Sequence, residues 1–179
     1  MNKKDKKNKG FTLVELLVVV AILGILTGVV VVSVGDAVAR ARDSRRLADV
    51  RQLAQILEVD FALHGAANMT GCTVGGNTTT ACNGVVNRPT GDVNSFFPRV
   101  IDPGIVAAST PCPTGTGGTA GVACHYSISR LGTTAGNPAN NDYEICFRLE
   151  TDPDGAGPLV IGLNRIATGG RFIPGCENQ

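Results

Sequence analysis

The sequence predicts an α+β chain in which a long N-terminal helix packs on a small antiparallel β-sheet with long, disulfide-restrained loops. Three observations lead there. Residues 11–34 form an apolar run with a single charge, and a helical apolar period continues to about Leu63. Beyond that, the composition turns to Gly, Thr, Asn and Pro, with short alternating segments and all six cysteines. The 179 residues have room for one modest core beside a hydrophobic element. Four stretches follow: a leader (1–10), an apolar half-helix (11–34), an outer half-helix (35–64) and an exterior domain (65–179).

The leader is basic. Lys3, Lys4, Lys6, Lys7 and Lys9 against Asp5 leave +4 on the first ten residues, and the eleven arginines and fourteen acidic residues of the remainder leave −3. That balance gives no support for general nucleic-acid binding, which needs a basic patch to neutralise phosphates.

The apolar run follows. Phe11 to Val34 is 24 residues, about 36 Å as a helix, enough to cross a hydrocarbon core of roughly 30 Å. A removable secretory signal has a shorter apolar core of about 7 to 15 residues and a nearby small-residue cleavage pattern, whereas Ala37-Val38-Ala39 lies too far along. Glu15 is the exception within the run. An ionised carboxylate in lipid normally pairs or faces a protein interior. No cation follows Lys9 until Arg40, so a partner in another chain would resolve the charge. Gly24 and Gly28, four apart, open one helical face to a neighbouring helix. Lysines before the run weigh toward a cytoplasmic N-terminus, and cysteine usage toward an exterior C-terminal domain.

The stretch Gly10-Phe11-Thr12-Leu13-Val14-Glu15-Leu16-Leu17-Val18-Val19-Val20-Ala21-Ile22-Leu23-Gly24-Ile25-Leu26 resembles the N-terminal signal and helix of bacterial type IV pilins and type II secretion pseudopilins. The resemblance implies cleavage between Gly10 and Phe11 by a prepilin peptidase, N-methylation of Phe11, and a role for Glu15 in subunit assembly. It also implies the pilin-like α+β architecture. Identical or related subunits, the pilus or secretion assembly machinery, and membrane lipid before assembly would be the partners. A single-pass inner-membrane subunit with an exterior domain would become part of a surface pilus or a periplasmic pseudopilus.

Along the outer half-helix, Leu47, Val50, Ala54, Leu57 and Phe61 recur at helical spacing as a core-facing stripe. Arg45, Arg46, Asp49, Gln52 and Glu58 read as the solvated face. Gly65 offers the stop signal, and a helix from Phe11 to Leu63 would be about 80 Å long. Many pseudopilins end this helix in an Asn-Gly-x-Tyr-Pro-like turn, where this chain has His64-Gly65-Ala66-Ala67-Asn68.

In the exterior domain, Phe96-Phe97 and Val100-Ile101 are expected as apolar anchors among loops. Tyr126-Ser127-Ile128, Tyr143–Glu150 and Leu159–Leu163 are expected as strands, the second with Tyr143, Ile145, Phe147 and Leu149 on one face. Cys72, Cys82, Cys112, Cys124, Cys146 and Cys176 favour disulfides, with fifteen pairings open. By position, Cys72 with Cys82, Cys112 with Cys124, and Cys146 with Cys176 are candidates.

No enzymatic constellation stands out. His125 beside Cys124 reads as a strand residue next to a disulfide cysteine rather than half of a nucleophilic pair. His64 reads as a helix-end polar residue. Asp152-Pro153-Asp154-Gly155 starts like a calcium loop but lacks the remaining EF-hand ligands, so Asp152 and Asp154 read as an acidic turn, with calcium kept open through the pseudopilin resemblance. No cofactor is expected. A non-enzymatic structural subunit of a type IV pilus-like filament is the leading function. A secretion pseudopilin is the alternative, and then a minor pilin in adhesion or DNA uptake.

Overall fold

The computed structural model describes residues 10–70, 77–79, 82, 84–85, 96–105, 112, 124–132, 137–153 and 157–176. The chain divides into two compact units, residues 1–38 and 39–179.

One helix, α1 (Leu13–His64), covers the predicted helical sequence except Phe11 and Thr12, which precede it. It ends where Gly65 turns left-handed at φ +80° and its N–H closes on Phe61 O at 2.8 Å. A side chain at Gly65 would disfavour that conformation.

In the second unit, the buried helix face runs Asp43, Arg46, Val50, Leu53, Leu57, Asp60. These positions repeat every three or four residues and keep to one side of the helix. The expected stripe holds from Leu47, which is partly buried against the core, through Val50, Ala54 and Leu57, and fails at Phe61. Phe61 is 43% exposed, because Asp60 holds the inward position and accepts a 2.7 Å hydrogen bond from Asn140 Nδ2. Arg46, expected in solvent, is buried.

The strands are β1 (Met69–Thr70), β2 (Asn77–Thr78), β3 (Gly84–Val85), β4 (Ser127–Ser129), β5 (Glu144–Leu149), β6 (Gly162–Ala167) and β7 (Arg171–Pro174). β1 pairs with β3, and the main sheet is antiparallel in the order β2-β4-β5-β6-β7. The α+β expectation therefore holds. The third strand begins at Gly162 rather than Leu159, leaving Val160 and Ile161 exposed. Asn164 fixes that shift: its side chain accepts from Val160 N–H and donates to Val160 O and Gly162 O. β7 is an addition to the expected strands.

Tyr143, Ile145, Phe147 and Leu149 join Val50, Leu53, Ala54 and Leu57 in the main core. Two tyrosines that immediately precede β4 and β5 lock the layers. Tyr126 Oη donates to Asp49 Oδ2 at 3.1 Å, and Tyr143 Oη to Ala54 O at 3.2 Å. Phe97 and Val100 anchor the preceding segment, whereas Ile101 is exposed. On the other face of β5, Cys146 joins Cys112, Cys124, Cys176 and Leu163 in a second small core.

The β7 edge is blunted. Gly175 N–H donates to Leu163 O, so alternate residues of β7 turn inward and the outward positions are Phe172 and Pro174. Pro174 has no N–H to offer there.

Leu53 is fully buried between helix and sheet. Leu53→Ala is expected to destabilise the second unit by about 2–5 kcal/mol, read as a lower denaturant midpoint at unchanged slope. A change under about 0.5 kcal/mol would contradict the helix-on-sheet core.

Candidate functional site

Gly10, Phe11 and Thr12 precede the helix in non-helical conformation, with Gly10 and Phe11 exposed. A peptide bond between two exposed, non-helical residues can enter an extended protease cleft. Just beyond, Thr12 and Glu15 form a reciprocal cap. Thr12 N–H and Thr12 Oγ1 both donate to Glu15 Oε2 at 2.8 Å, while Glu15 N–H donates to Thr12 Oγ1 at 3.3 Å. This is the Thr-x-x-Glu capping box, which satisfies amides left open by the first helical turn. The signal is present in the sequence, where the charge of Glu15 drew attention away from its spacing to Thr12. The cap holds the carboxylate against the amide of residue 12, one residue from the nitrogen of Phe11.

Beyond the cap, every side chain from Phe11 to Val30 is exposed in the isolated chain. α1 is long and apolar enough to cross a membrane. A Cβ built on Gly24 or Gly28 would meet nothing within 4 Å, so this face is open to another helix.

Residues 5–31 match the family profile described as the prokaryotic N-terminal methylation motif. The chain carries a prepilin-type signal. That signal implies processing by a prepilin peptidase and entry into pilus-like machinery, and it marks the apolar helix as a membrane anchor before assembly. It points to a structural subunit of the type IV pilin or pseudopilin kind rather than to an enzyme. No solved structure matches the chain.

The second unit of this prepilin-type chain, residues 39–179, holds a further constellation that sequence reading missed. Arg46 grips Asp102 with two bonds, Nε to Oδ2 at 2.7 Å and Nη2 to Oδ1 at 2.9 Å. Its Nη1 reaches Asp43 Oδ1 at 2.8 Å and Glu150 Oε1 at 2.6 Å. Asp43 accepts from Glu150 N–H, Thr151 N–H and Thr151 Oγ1, and Arg42 pairs with Glu150. Gly104 lies close beneath the guanidinium: a Cβ there would lie 2.5 Å from Arg46 Nη2, so a side chain would displace it. Burial pulls the Arg46 pKa down, but Asp102, Glu150 and Asp43 together carry it above its ordinary value. Hydrogen bonding from Arg42, joined by Arg46, pushes Glu150 down to about 2 against the opposing effect of burial.

The cysteines fall into three groups. Cys112 and Cys124 are bonded, so Cys124 is no free nucleophile for His125. Cys82 is disulfide-bonded, and Cys72, its positional candidate, lies outside the described residues. Cys146 and Cys176 are free, buried thiols, so the bracket anticipated between them is not closed in this structure. His125 is fully buried, its Nδ1 lies 3.4 Å from Tyr126 O, and burial lowers its pKa. His64 lies on the exposed helix end, 3.1 Å from Asp60. Asp152 is exposed and Asp154 lies outside the described residues. Among the described residues, no group of three or more His, Cys, Asp or Glu could hold a metal ion.

Glu150 gives the second unit an acid limit. Its folded pKa is depressed, so the stability it contributes is complete above the ordinary value of 4.5 and is lost as pH falls through about 2. Glu150→Gln is expected to flatten the stability profile across that window in denaturant titrations. An unchanged acid slope would contradict the pairing. Arg46→Ala, which leaves Asp43 and Asp102 buried without their cation, is expected to cost about 3–5 kcal/mol, measured in the same titrations at neutral pH.

Proposed function

We propose that this protein is a structural subunit of a type IV pilus-like filament, processed between Gly10 and Phe11 and assembled out of the inner membrane by packing of its N-terminal helix. The observation that carries the reading is the Glu15 carboxylate, held by the Thr12 cap within one residue of the Phe11 nitrogen. Cleavage would turn that nitrogen into a cationic amine, and methylation would keep it titratable. In a water-poor bundle of such helices, the amine of one subunit and the Glu15 carboxylate of a neighbour would attract strongly, with desolvation offsetting part of the gain. The same carboxylate has a local partner before assembly, which lowers the penalty of carrying it through the membrane.

Two further features support assembly by helix packing. Gly24 and Gly28 leave room for a close helix neighbour. Farther along, Ala48, Gln52, Gln55, Val59 and Ala62 make an exposed stripe without charge on α1, a face that another subunit's helix could cover. The helix end favours a pilus over the major secretion pseudopilin, since His64-Gly65-Ala66-Ala67-Asn68 departs from the pseudopilin turn.

Glu15→Gln separates the two roles of the carboxylate. Glutamine still accepts the Thr12 N–H in a capping box but cannot neutralise an ammonium. Processed, membrane-inserted protein is expected to accumulate while the yield of sheared filaments falls by about tenfold or more, the equivalent of about 1.4 kcal/mol. Wild-type filament yield from the processed variant would overturn the charge-pairing role. Sequencing the N-terminus of sheared wild-type filaments is expected to start at Phe11. Recovery only in an envelope secretion complex would favour the pseudopilin reading.

A further inference from the structure

The connection from β5 to β6 ends in an apolar tip, Pro158-Leu159-Val160-Ile161. Leu159 packs against the main core, while Val160 and Ile161 stand 45% and 61% exposed. Single exposed apolar side chains are ordinary on a protein surface. Here two adjacent ones are held outward by a buried clamp. Asn164 is fully buried, and its side chain accepts from Val160 N–H at 3.0 Å and donates to Val160 O at 2.7 Å and Gly162 O at 2.9 Å. Turning the tip inward would break bonds to a buried amide, which is costly.

The strand register fixes which end of the sheet carries the tip. Leu149 pairs with Gly162, so Glu150 and Ile161 are the next residues outward from that pair. Glu150 N–H donates to Asp43, and its carboxylate pairs with Arg42. A third exposed apolar residue, Ile101 at 45%, adjoins Asp102, which Arg46 grips. All three belong to the end of the second unit that is built on residues 42–46 of α1. Arg42 follows Val34, the last residue of the apolar run, by eight positions, about 12 Å of helix and no more than about 28 Å of fully extended chain. The other end of the sheet, toward Gly65, lies more than twenty residues farther along the chain.

We propose that Val160 and Ile161 dip into the phospholipid headgroup region of the membrane that the apolar run enters, before the subunit joins a filament. The proposal rests on the membrane-anchor reading of residues 11–34 and adds a second point of contact. The tether selects lipid over another protein as the occupant. A bilayer stays within reach of the tip in every anchored copy, so the encounter is intramolecular and a small apolar contact suffices, whereas a second copy has to be brought there. Apolar side chains at the boundary of headgroups and acyl chains contribute in proportion to the area they bury. Two contacts with one bilayer orient the second unit, where a single tether does not.

The chain contains no tryptophan, so Ile161→Trp places a single reporter at the tip. Full-length protein is reconstituted at high dilution into phosphatidylcholine vesicles, with and without bromine on the upper acyl chain as a contact quencher. Flotation reads the anchor, and fluorescence reads the tip. The protein is expected to float with the vesicles, and its emission to move to shorter wavelength and fall at least about twofold in brominated lipid. Leu131→Trp, in the turn after β4 at the other end of the sheet, is expected to keep a water-like, unquenched emission. Floating protein with an unquenched Ile161→Trp overturns the tip contact and leaves the anchor standing, whereas protein that does not float overturns both. Equal quenching at Leu131→Trp marks general adsorption and overturns the tip contact. A shift that emerges only at high protein density assigns the tip to a second copy and overturns it too. Because tryptophan itself favours the membrane interface, Val160→Asp is added to the Ile161→Trp chain. Both positions are exposed, so neither change removes a core side chain. Quenching is expected to weaken, and undiminished quenching would overturn the proposal.

Discussion

One helix has to satisfy two solvents, and the rest of the molecule follows from that constraint. From Leu13 to Val30, α1 presents side chains that are apolar apart from Glu15 and Thr27 outward in every direction, as a helix does when lipid or other helices surround it. Residues 39–64 have an inner face and an outer one. A single amphipathic pattern cannot serve both halves, so the sequence changes its rule partway along α1.

The second half compensates for what helix burial alone supplies sparingly. Its inner face carries only four fully or nearly buried apolar residues, Val50, Leu53, Ala54 and Leu57, with charged groups above and below. At one end Asp43 and Arg46 meet Asp102 and Glu150, and at the other Asp60 meets Asn140 and His64. Buried ion pairs are poor contributors to net stability but unforgiving of misplacement. They fix the rotation and the axial position of the helix against the sheet, which a short apolar stripe would leave looser. The tyrosine bonds to Asp49 and Ala54 act in the same sense.

Much of this was legible from local pattern and some was not. The methylation motif, the apolar span, the Gly65 stop and the alternating strand after Tyr143 all follow from residues close together in sequence. Arg46 did not, because its burial depends on Asp102 and Glu150, 56 and 104 positions away by sequence number. An arginine among other charges on a helix looks solvated until those partners are known. Phe61 failed for a related reason: either of two adjacent positions could continue the apolar period, and Asn140 selects Asp60. The start of β6 was hidden by Asn164, a polar residue whose side chain organises the preceding loop. The Thr12–Glu15 cap was readable from spacing alone, but a charge in an apolar run invites an intermolecular explanation first.

The proline on β7 has a consequence at the scale of many copies. A sheet edge is a template, and crowding subunits along a fibre multiplies the encounters between such edges. With Pro174 at an outward position, β7 offers Phe172 as its remaining outward amide. In the proposed filament, neighbouring copies of this sheet would therefore meet at an edge with few free donors, which disfavours fusion through it into amyloid-like ribbons. Growth by helix contacts would stay separable from growth by strand contacts, and a filament built the first way could be taken apart again one subunit at a time.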